Sequence, residues 1–559
     1  MFHHAEQFDL TPVSNDSSDS SKNIDLYGVE SFNSGIGFFY AQEDNTYDDN
    51  YQHQQQLKEF GNFDDMYIDV VSPPFQSCED EIKKIIGMKS QNTEPIEPKK
   101  SRSNIFPSAS LEFLRKYRNR RLKPDNKISN EIQASHSPTL STEIIIKLAA
   151  ENFIQSTSRS SKEISTINHP YPSSILVRSE EDFQTVQLVQ NLLSCAEKVA
   201  DKQYDRSIKF LIACDEMSSC TGNPIQRLVF YFSEALSEKI ANETGRIAPK
   251  YSERNFVDPL ETVKSPNMIL FAFQKDFPIS QITKLVGIQA VLDHLGDAKK
   301  VHIIDLEIRS GVQWIILMQA LTEKNYVQRL KITAVETKSS KSRVEDTGRQ
   351  LASFARSLNL NFSFKIIAVE DILELEKDLF ELETDEVVAV YAAYTLMSMI
   401  GKVDRLDHLM RMIKSVCPCV MIVVEFEANC NSPSFIGRFV ESLFFFGAFF
   451  DSLADCFEND ETSRRDAESM WLRLSIRNVL VAEGDERKIR HVNMNVWRTF
   501  FGRFGLVEIE LSISSLDQAN LVLQSLSCGR SCSLFRDDKC LTIGWKGTPI
   551  TSISTWKFQ

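Results

Sequence analysis

From Lys300 onward the chain alternates short apolar runs with longer stretches of helical periodicity, and this rhythm narrows the possible folds more than any other feature. Val301 to Asp305, Leu330 to Val335, Phe362 to Val369, Val387 to Ala392 and Cys419 to Glu425 are five such runs. Between them lie Gly311 to Glu323, then Ser342 to Leu358 with Val344, Leu351, Phe354 and Leu358 on one side, then a segment carrying Ile400, Val403, Leu406, Met410 and Ile413. A strand apolar on both faces needs cover on both faces, and intervening helices supply it. The pattern therefore predicts a parallel sheet with right-handed crossovers. Leu506 to Leu511 and Cys540 to Trp545 read as two further strands, with a helix around Ser515 to Leu526 between them. The expected fold class is α/β, a doubly wound Rossmann-like (methyltransferase-like) sheet of about seven strands.

Residues 180–300 carry helices and no strand. Leu188, Leu192, Ala196 and Val199 share one helical face, and Asn223-Pro224-Ile225-Gln226 supplies an N-cap, a proline at the first helical position and a glutamine at the third, for a helix that closes near Gly245. This segment is expected to form a helical cap and leucine-rich region. Its leucine face is either ordinary core or, with Leu188 and Leu192 as candidates, a partner surface.

The net charge of −14 is unevenly spread. Residues 1–98 hold 19 Asp and Glu against 5 Lys and Arg; they are poor in Leu, Ile and Val and dotted with aromatics such as Phe8, Tyr27, Phe38, Phe39, Tyr40 and Phe63. Such a stretch buries too little apolar surface to offset chain entropy, so an acidic disordered region is expected, either an activation segment or a spacer. Residues 99–179 are expected to be a basic linker with a short amphipathic helix from Thr142 to Gln155. Lys99, Lys100, Arg115, Lys116, Arg118, Arg120, Arg121 and Lys123 are candidates for nuclear import, or form a solvated basic face. No charged-then-apolar leader and no apolar run of about 18 residues is present, so a soluble, non-exported chain without membrane contact is expected. The scattered cysteines lack zinc-ligand spacing, and no metal is expected.

A doubly wound sheet raises S-adenosylmethionine-dependent methyl transfer as one reading. Glu336, after the second strand, is placed to grip ribose hydroxyls, and Asp371 to approach an adenine. The first strand-to-helix turn opposes it. Asp305-Leu306-Glu307-Ile308-Arg309-Ser310-Gly311 has one glycine, at its far end, where a nucleoside cofactor needs several. Leu306, Ile308 and Arg309 would fill the cofactor's space, so no cofactor and no catalytic residue is expected. Direct DNA binding is a third reading, opposed by the acidic balance after residue 124.

Val301-His302-Ile303-Ile304-Asp305 is identical to the hallmark string of the GRAS family of plant transcriptional regulators, and further blocks resemble that family in order. Among them are Gly311-Val312-Gln313-Trp314, Gly348-Arg349-Gln350-Leu351, Val424-Glu425-Phe426-Glu427-Ala428-Asn429, Arg490-His491, and Gly544-Trp545-Lys546 leading to Ser554-Thr555-Trp556. The resemblance spans 180–559, with 301–559 as the α/β core ending in a segment similar to the family's Ser-Ala-Trp block. It resembles scarecrow-like and DELLA-like members, although the leader lacks the Asp-Glu-Leu-Leu-Ala string, so hormone-triggered degradation is not implied. Val492 stands where the family usually has Glu, and Thr555 where it has Ala. What the resemblance implies is a nuclear, non-enzymatic co-regulator. It would bind DNA-bound transcription factors and other family members, as homo- or hetero-dimers, and meet nucleic acid mainly indirectly. Of the signature residues, His302 is expected to be a satisfied core histidine, Asp305 to pair with a helix terminus or a basic side chain, and Trp545 and Trp556 to be anchors. Glu307, Arg309, Arg487 and Arg490 are the exposed candidates to line the former ligand cleft.

Overall fold

The computed structural model describes residues 140–158, 179–245, 273–324 and 327–559. The acidic leader and the basic import candidates lie outside these residues.

Five parallel strands form one half of the sheet: β1 (Lys300–Asp305), β2 (Arg329–Thr337), β3 (Phe362–Val369), β4 (Glu386–Ala393) and β5 (Val420–Phe426). Their order is β3-β2-β1-β4-β5, with β1 in the middle and the chain direction reversing its travel between β1 and β4. The crossover helices are α6 (Val312–Lys324), α7 (Lys341–Ser357) and α8 (Val403–Val416). Every residue of β5 is buried, as expected for a strand covered on both faces.

The remaining strands are antiparallel, and here the sheet differs from the seven strands expected: it has nine. β9 (Thr548–Phe558) runs antiparallel to β5 and carries on its other side first β8 (Cys540–Trp545) and then the short β6 (Leu506–Ile509). β7 (Cys532–Asp537) pairs with β8 and ends the sheet. The unexpected strands are β7 and β9, neither of which is a continuous apolar run. In β9 the buried positions include Thr551, Ser552, Ser554 and Thr555, polar side chains that sequence hydropathy assigns to solvent.

α2 (Glu180–Ala200), α3 (Tyr204–Met217) and α4 (Pro224–Thr244) pack on one another as the cap, whereas α5 (Pro278–His294), expected in the same cap, packs on the sheet against β5 and β9. The α4 capping box forms as the spacing predicts: the Gln226 amide donates to Asn223 Oδ1 and the Asn223 amide to Gln226 Oε1, each at 3.0 Å. Gly245 then closes the helix at φ 68°. A buried charge cluster clamps cap to core. Arg227 Nε on α4 donates to Glu468 Oε1 at 2.9 Å, Arg464 Nη1 donates to the same carboxylate at 3.1 Å, and Arg227 Nη2 reaches the Phe450 carbonyl at 3.3 Å. Removing one partner from such a cluster leaves an uncompensated buried charge.

Leu188 and Leu192, proposed above as partner-surface candidates, are fully packed into the core. The leucine periodicity of α2 is spent on contacts with α3, α4 and the helix Thr142–Ser158.

α1 (Thr142–Ser158) also departs from expectation. It falls in the stretch assigned to a linker, yet Ile145, Ile146, Leu148, Ala149 and Ala150 are buried against α2 and α9 (Phe435–Cys456). A Cβ on Gly447 of α9 would come within 2.5 Å of Ile146 Cδ1, so the helices meet where α9 has no side chain. Thr142 Oγ1 donates to Asp451 Oδ1 at 2.7 Å, and the Leu140 amide to Asp182 Oδ1 at 3.1 Å. The packed body thus reaches back to Leu140. Ile146→Ala is expected to lower unfolding stability by about 2–5 kcal/mol, the usual range for truncating a buried isoleucine. Urea titration measures it, and an unchanged midpoint would return α1 to the linker.

Candidate functional site at the carboxyl edge of the parallel strands

Because β1, β2, β4 and β5 run the same way in close register, their last residues gather at one edge. Asp305 pairs laterally with Ala334 on one side and Tyr391 on the other, so Asp305, Glu336 and Glu425 become neighbours in space. In open α/β sheets this edge is where ligands bind.

Asp305 is buried and fully engaged. Its Oδ2 accepts from Trp314 Nε1 at 2.7 Å and from Gln313 Nε2 at 3.3 Å, both in the first turn of α6, while Oδ1 accepts the Glu307 amide at 3.1 Å. Burial nevertheless pushes its carboxyl up to about 6. The turn that follows folds back over the strand ends. Leu306 and Ile308 are buried, and the Arg309 carbonyl accepts from Thr347 Oγ1 at 3.0 Å and Arg343 Nη1 at 3.2 Å.

Glu336, the residue a ribose would require, faces this turn. Its Oε1 accepts the Ile308 amide at 3.0 Å, and Arg343 Nη2 stands 3.5 Å from Oε2. Burial, then the nearby Glu307, push its carboxyl up to about 8. Asp371 is turned elsewhere: it caps the short turn at Leu373 and pairs with Arg405, which holds its carboxyl down to about 2. The two acids that a methyl donor would need are therefore bonded to the protein's own groups. Among the described residues no group of three or more His, Cys, Asp or Glu is placed to hold a metal ion.

In the turn Gly311 has φ 65°, and Arg309 takes left-handed geometry as well, at φ 39°. The two bonds to its carbonyl offset a strain of roughly 1–2 kcal/mol. Gly311 is required twice over, since a Cβ there would also lie 2.9 Å from Thr347 Cγ2. Arg309 lies over the Tyr394 ring, 5.3 Å from its centroid, and its Nε is 3.5 Å from Glu307 Oε1. Glu307 Oε2 in turn accepts from the Thr395 hydroxyl at 3.3 Å. Both Glu307 and Arg309 are half-buried in the shelf rather than projecting from it.

The other signature residues are structural. Val301, Ile303 and Ile304 are core, and His302 is buried with Nδ1 2.8 Å from Glu386 Oε1 and Nε2 2.7 Å from Thr333 Oγ1. Trp545 Nε1 donates to Asp451 Oδ2 at 2.7 Å, and Trp556 Nε1 to Ser554 Oγ at 2.8 Å. Arg487 and Arg490 sit together beside Asn431, with Arg487 buried and the Arg490 amide donating to the Met397 carbonyl in the turn after β4. Glu425 was not singled out, although an acid ending a buried strand was the available signal. Its Oε1 accepts the Leu396 amide at 2.9 Å, and burial pushes its carboxyl up to about 8.

A family model described as the GRAS domain family matches residues 188–557. The chain belongs to that family. This GRAS chain is 28% identical to the DELLA protein RGL1 of Arabidopsis thaliana over 376 residues, covering 67% of the chain and 70% of that protein. It is 27% identical to the DELLA protein GAIP of Cucurbita maxima over 389 residues, 68% of the chain and slightly under two thirds, 64%, of that protein. The crystal structure of SCL7 in Oryza sativa superposes with a TM-score of 0.58 at 27% identity, covering 66% of this chain and 99% of that one. GRAS membership places the chain among plant transcriptional regulators.

The raised acids give the GRAS edge a pH signature. Glu336 titrates near 8 in the folded chain against an ordinary 4.5, so the native state holds a proton that the unfolded chain releases first. Stability from this group is therefore full below about 4.5 and falls as pH rises toward about 8. Glu336→Gln, which keeps an oxygen for the Ile308 amide, is expected to flatten that decline. Denaturant midpoints at steps between pH 5 and 9 test this, and parallel curves for both proteins would refute it.

Proposed function

We propose that this GRAS protein acts in the nucleus as a non-catalytic scaffold that docks onto DNA-bound transcription factors and onto other GRAS proteins. The observation that carries this reading is the bond from the Ile308 amide to Glu336 Oε1 at 3.0 Å. A carboxylate in the place that grips a ribose is already occupied by a backbone donor, and a buried isoleucine stands where a nucleoside would lie. The edge is closed further by the turn just before α5, whose Gln274 Nε2 donates to Ser310 Oγ at 2.8 Å. A surface closed in this way offers shape to a macromolecule instead of a cavity to a metabolite. Kinship with the DELLA proteins supports the regulatory assignment. No helix among the described residues is long and apolar enough to cross a membrane.

Within this reading the acidic leader, residues 1–98, recruits transcription machinery, and the basic residues from Lys99 to Lys123 serve import. Titration calorimetry with S-adenosylmethionine is expected to give no binding heat; micromolar affinity would overturn the non-catalytic assignment. A fluorescent fusion with Arg115, Lys116, Arg118, Arg120, Arg121 and Lys123 all changed to Ala is expected to lose nuclear accumulation. Undiminished nuclear signal would remove the import role from this stretch.

A further inference from the structure

Three arginines converge just ahead of α9. Asn431 Oδ1, a neutral oxygen, accepts from both Arg487 Nη2 and Arg490 Nη1, each at 3.2 Å. Arg438, from the second turn of α9, adds a third guanidinium, bonded to the Ser432 and Pro433 carbonyls and to Glu483. Arg487 is only 6% exposed, and its Nε and Nη1 meet no acceptor among the described residues. Buried donors without partners are rare because each forfeits water at a cost of roughly 1–3 kcal/mol. A second observation points the same way: α9, 22 residues long, begins at Ser434 with no side-chain cap for its first amides.

We infer that this cluster is an anion site for a phosphate-type dianion, either free phosphate or the phosphate of a phosphorylated side chain. The dianion takes the place of the Asn431 carboxamide oxygen, bridges Arg487 and Arg490, and meets the uncapped first turn of α9. Guanidinium forks and helix-terminal amides are the donors that phosphate oxygens favour. Access is through the rim formed by Pro433, Ser434 and the Gly484–Glu486 turn, all exposed, with Lys488 exposed beside them. Burial, and then Arg438 and Arg490, hold the Arg487 guanidinium down to about 10, with Glu483 the carboxylate that partly offsets them. The inference uses none of the bonds made by Asp305 or Glu336, so its failure would leave the proposed function untouched.

Calorimetry on the full chain tests the inference with three probes: inorganic phosphate, a phosphoserine peptide and the same peptide unphosphorylated. Phosphate or the phosphopeptide is expected to bind, and the unphosphorylated peptide not. A phosphopeptide tighter than free phosphate names a modified side chain as the source; one no tighter names the free ion, and either result supports the site. Arg490→Gln is expected to weaken binding roughly tenfold, as for loss of one charged hydrogen bond, and Asn431→Ala to strengthen it by freeing both arginines. Arg487→Lys removes the fork while keeping charge, but it is buried; if it fails to fold, the other two variants still decide. Absence of binding by both phosphorylated and free phosphate, equal binding of the unphosphorylated peptide, or an Arg490→Gln isotherm matching the parent would overturn it.

Discussion

Asp305 ends the central strand with a carboxylate taken out of water, and the edge above it is arranged to satisfy that group. Its two oxygens take an indole, a carboxamide and a backbone amide, which fixes the entry of α6 and the first residues of the turn together. Once Glu307 is held, Ile308 is directed down onto Glu336 and Arg309 is driven into left-handed geometry, where Thr347 and Arg343 receive its carbonyl. The same constraint therefore reaches β2, α6 and α7, and gives the acid that ends the hallmark string a structural role.

The antiparallel half depends on a comparable convergence at Asp451. One of its oxygens accepts from Thr142 of α1, the other from Trp545 at the end of β8, and Lys546 lies 2.6 Å from the latter. A single carboxylate on α9 thus joins the first described helix to the closing hairpin. Such nodes let a mixed sheet with several polar buried strands remain in one register. The hydrogen bonds of Ser554 and Thr555 contribute in the same way, to Trp556 and to the Ile509 carbonyl.

Much of the parallel half was legible in the sequence because its signals are local. An apolar run with a terminal acid, a capping box and a glycine after a helix each need only a few neighbouring residues to be read. β9 was not legible because its Ser and Thr side chains are buried by partners far along the chain, which no local pattern discloses. α1 was read as amphipathic but placed in a linker, since the glycine that receives it is Gly447, about three hundred residues away. At the edge, Asp305, Glu307 and Glu336 could be named in advance and Glu425 was missed; the direction of their carboxylates could not be read at all. Whether Glu336 faces a ligand or the Ile308 amide depends on the conformation of Arg309, a residue whose sequence preference opposes the φ it adopts.

A ligand-binding edge and a docking edge make opposite demands on charge. To hold a ribose or an amine, a carboxylate has to stay ionised and partly hydrated until the ligand replaces water. Here Glu336 and Glu425 are pushed up to about 8, so at neutral pH each is largely a protonated acid inside a bonded shelf. Neutral, satisfied groups present little field to a small charged metabolite and little desolvation penalty to a large partner. The charge that remains at this edge is carried by Asp305 with its own donors, by Arg343 beside Glu336, and by half-buried Glu307 and Arg309, which are paired to each other. A substitution that only placed glycines in the turn would therefore not open a cofactor site, because Glu336 beneath it is bonded to the turn itself.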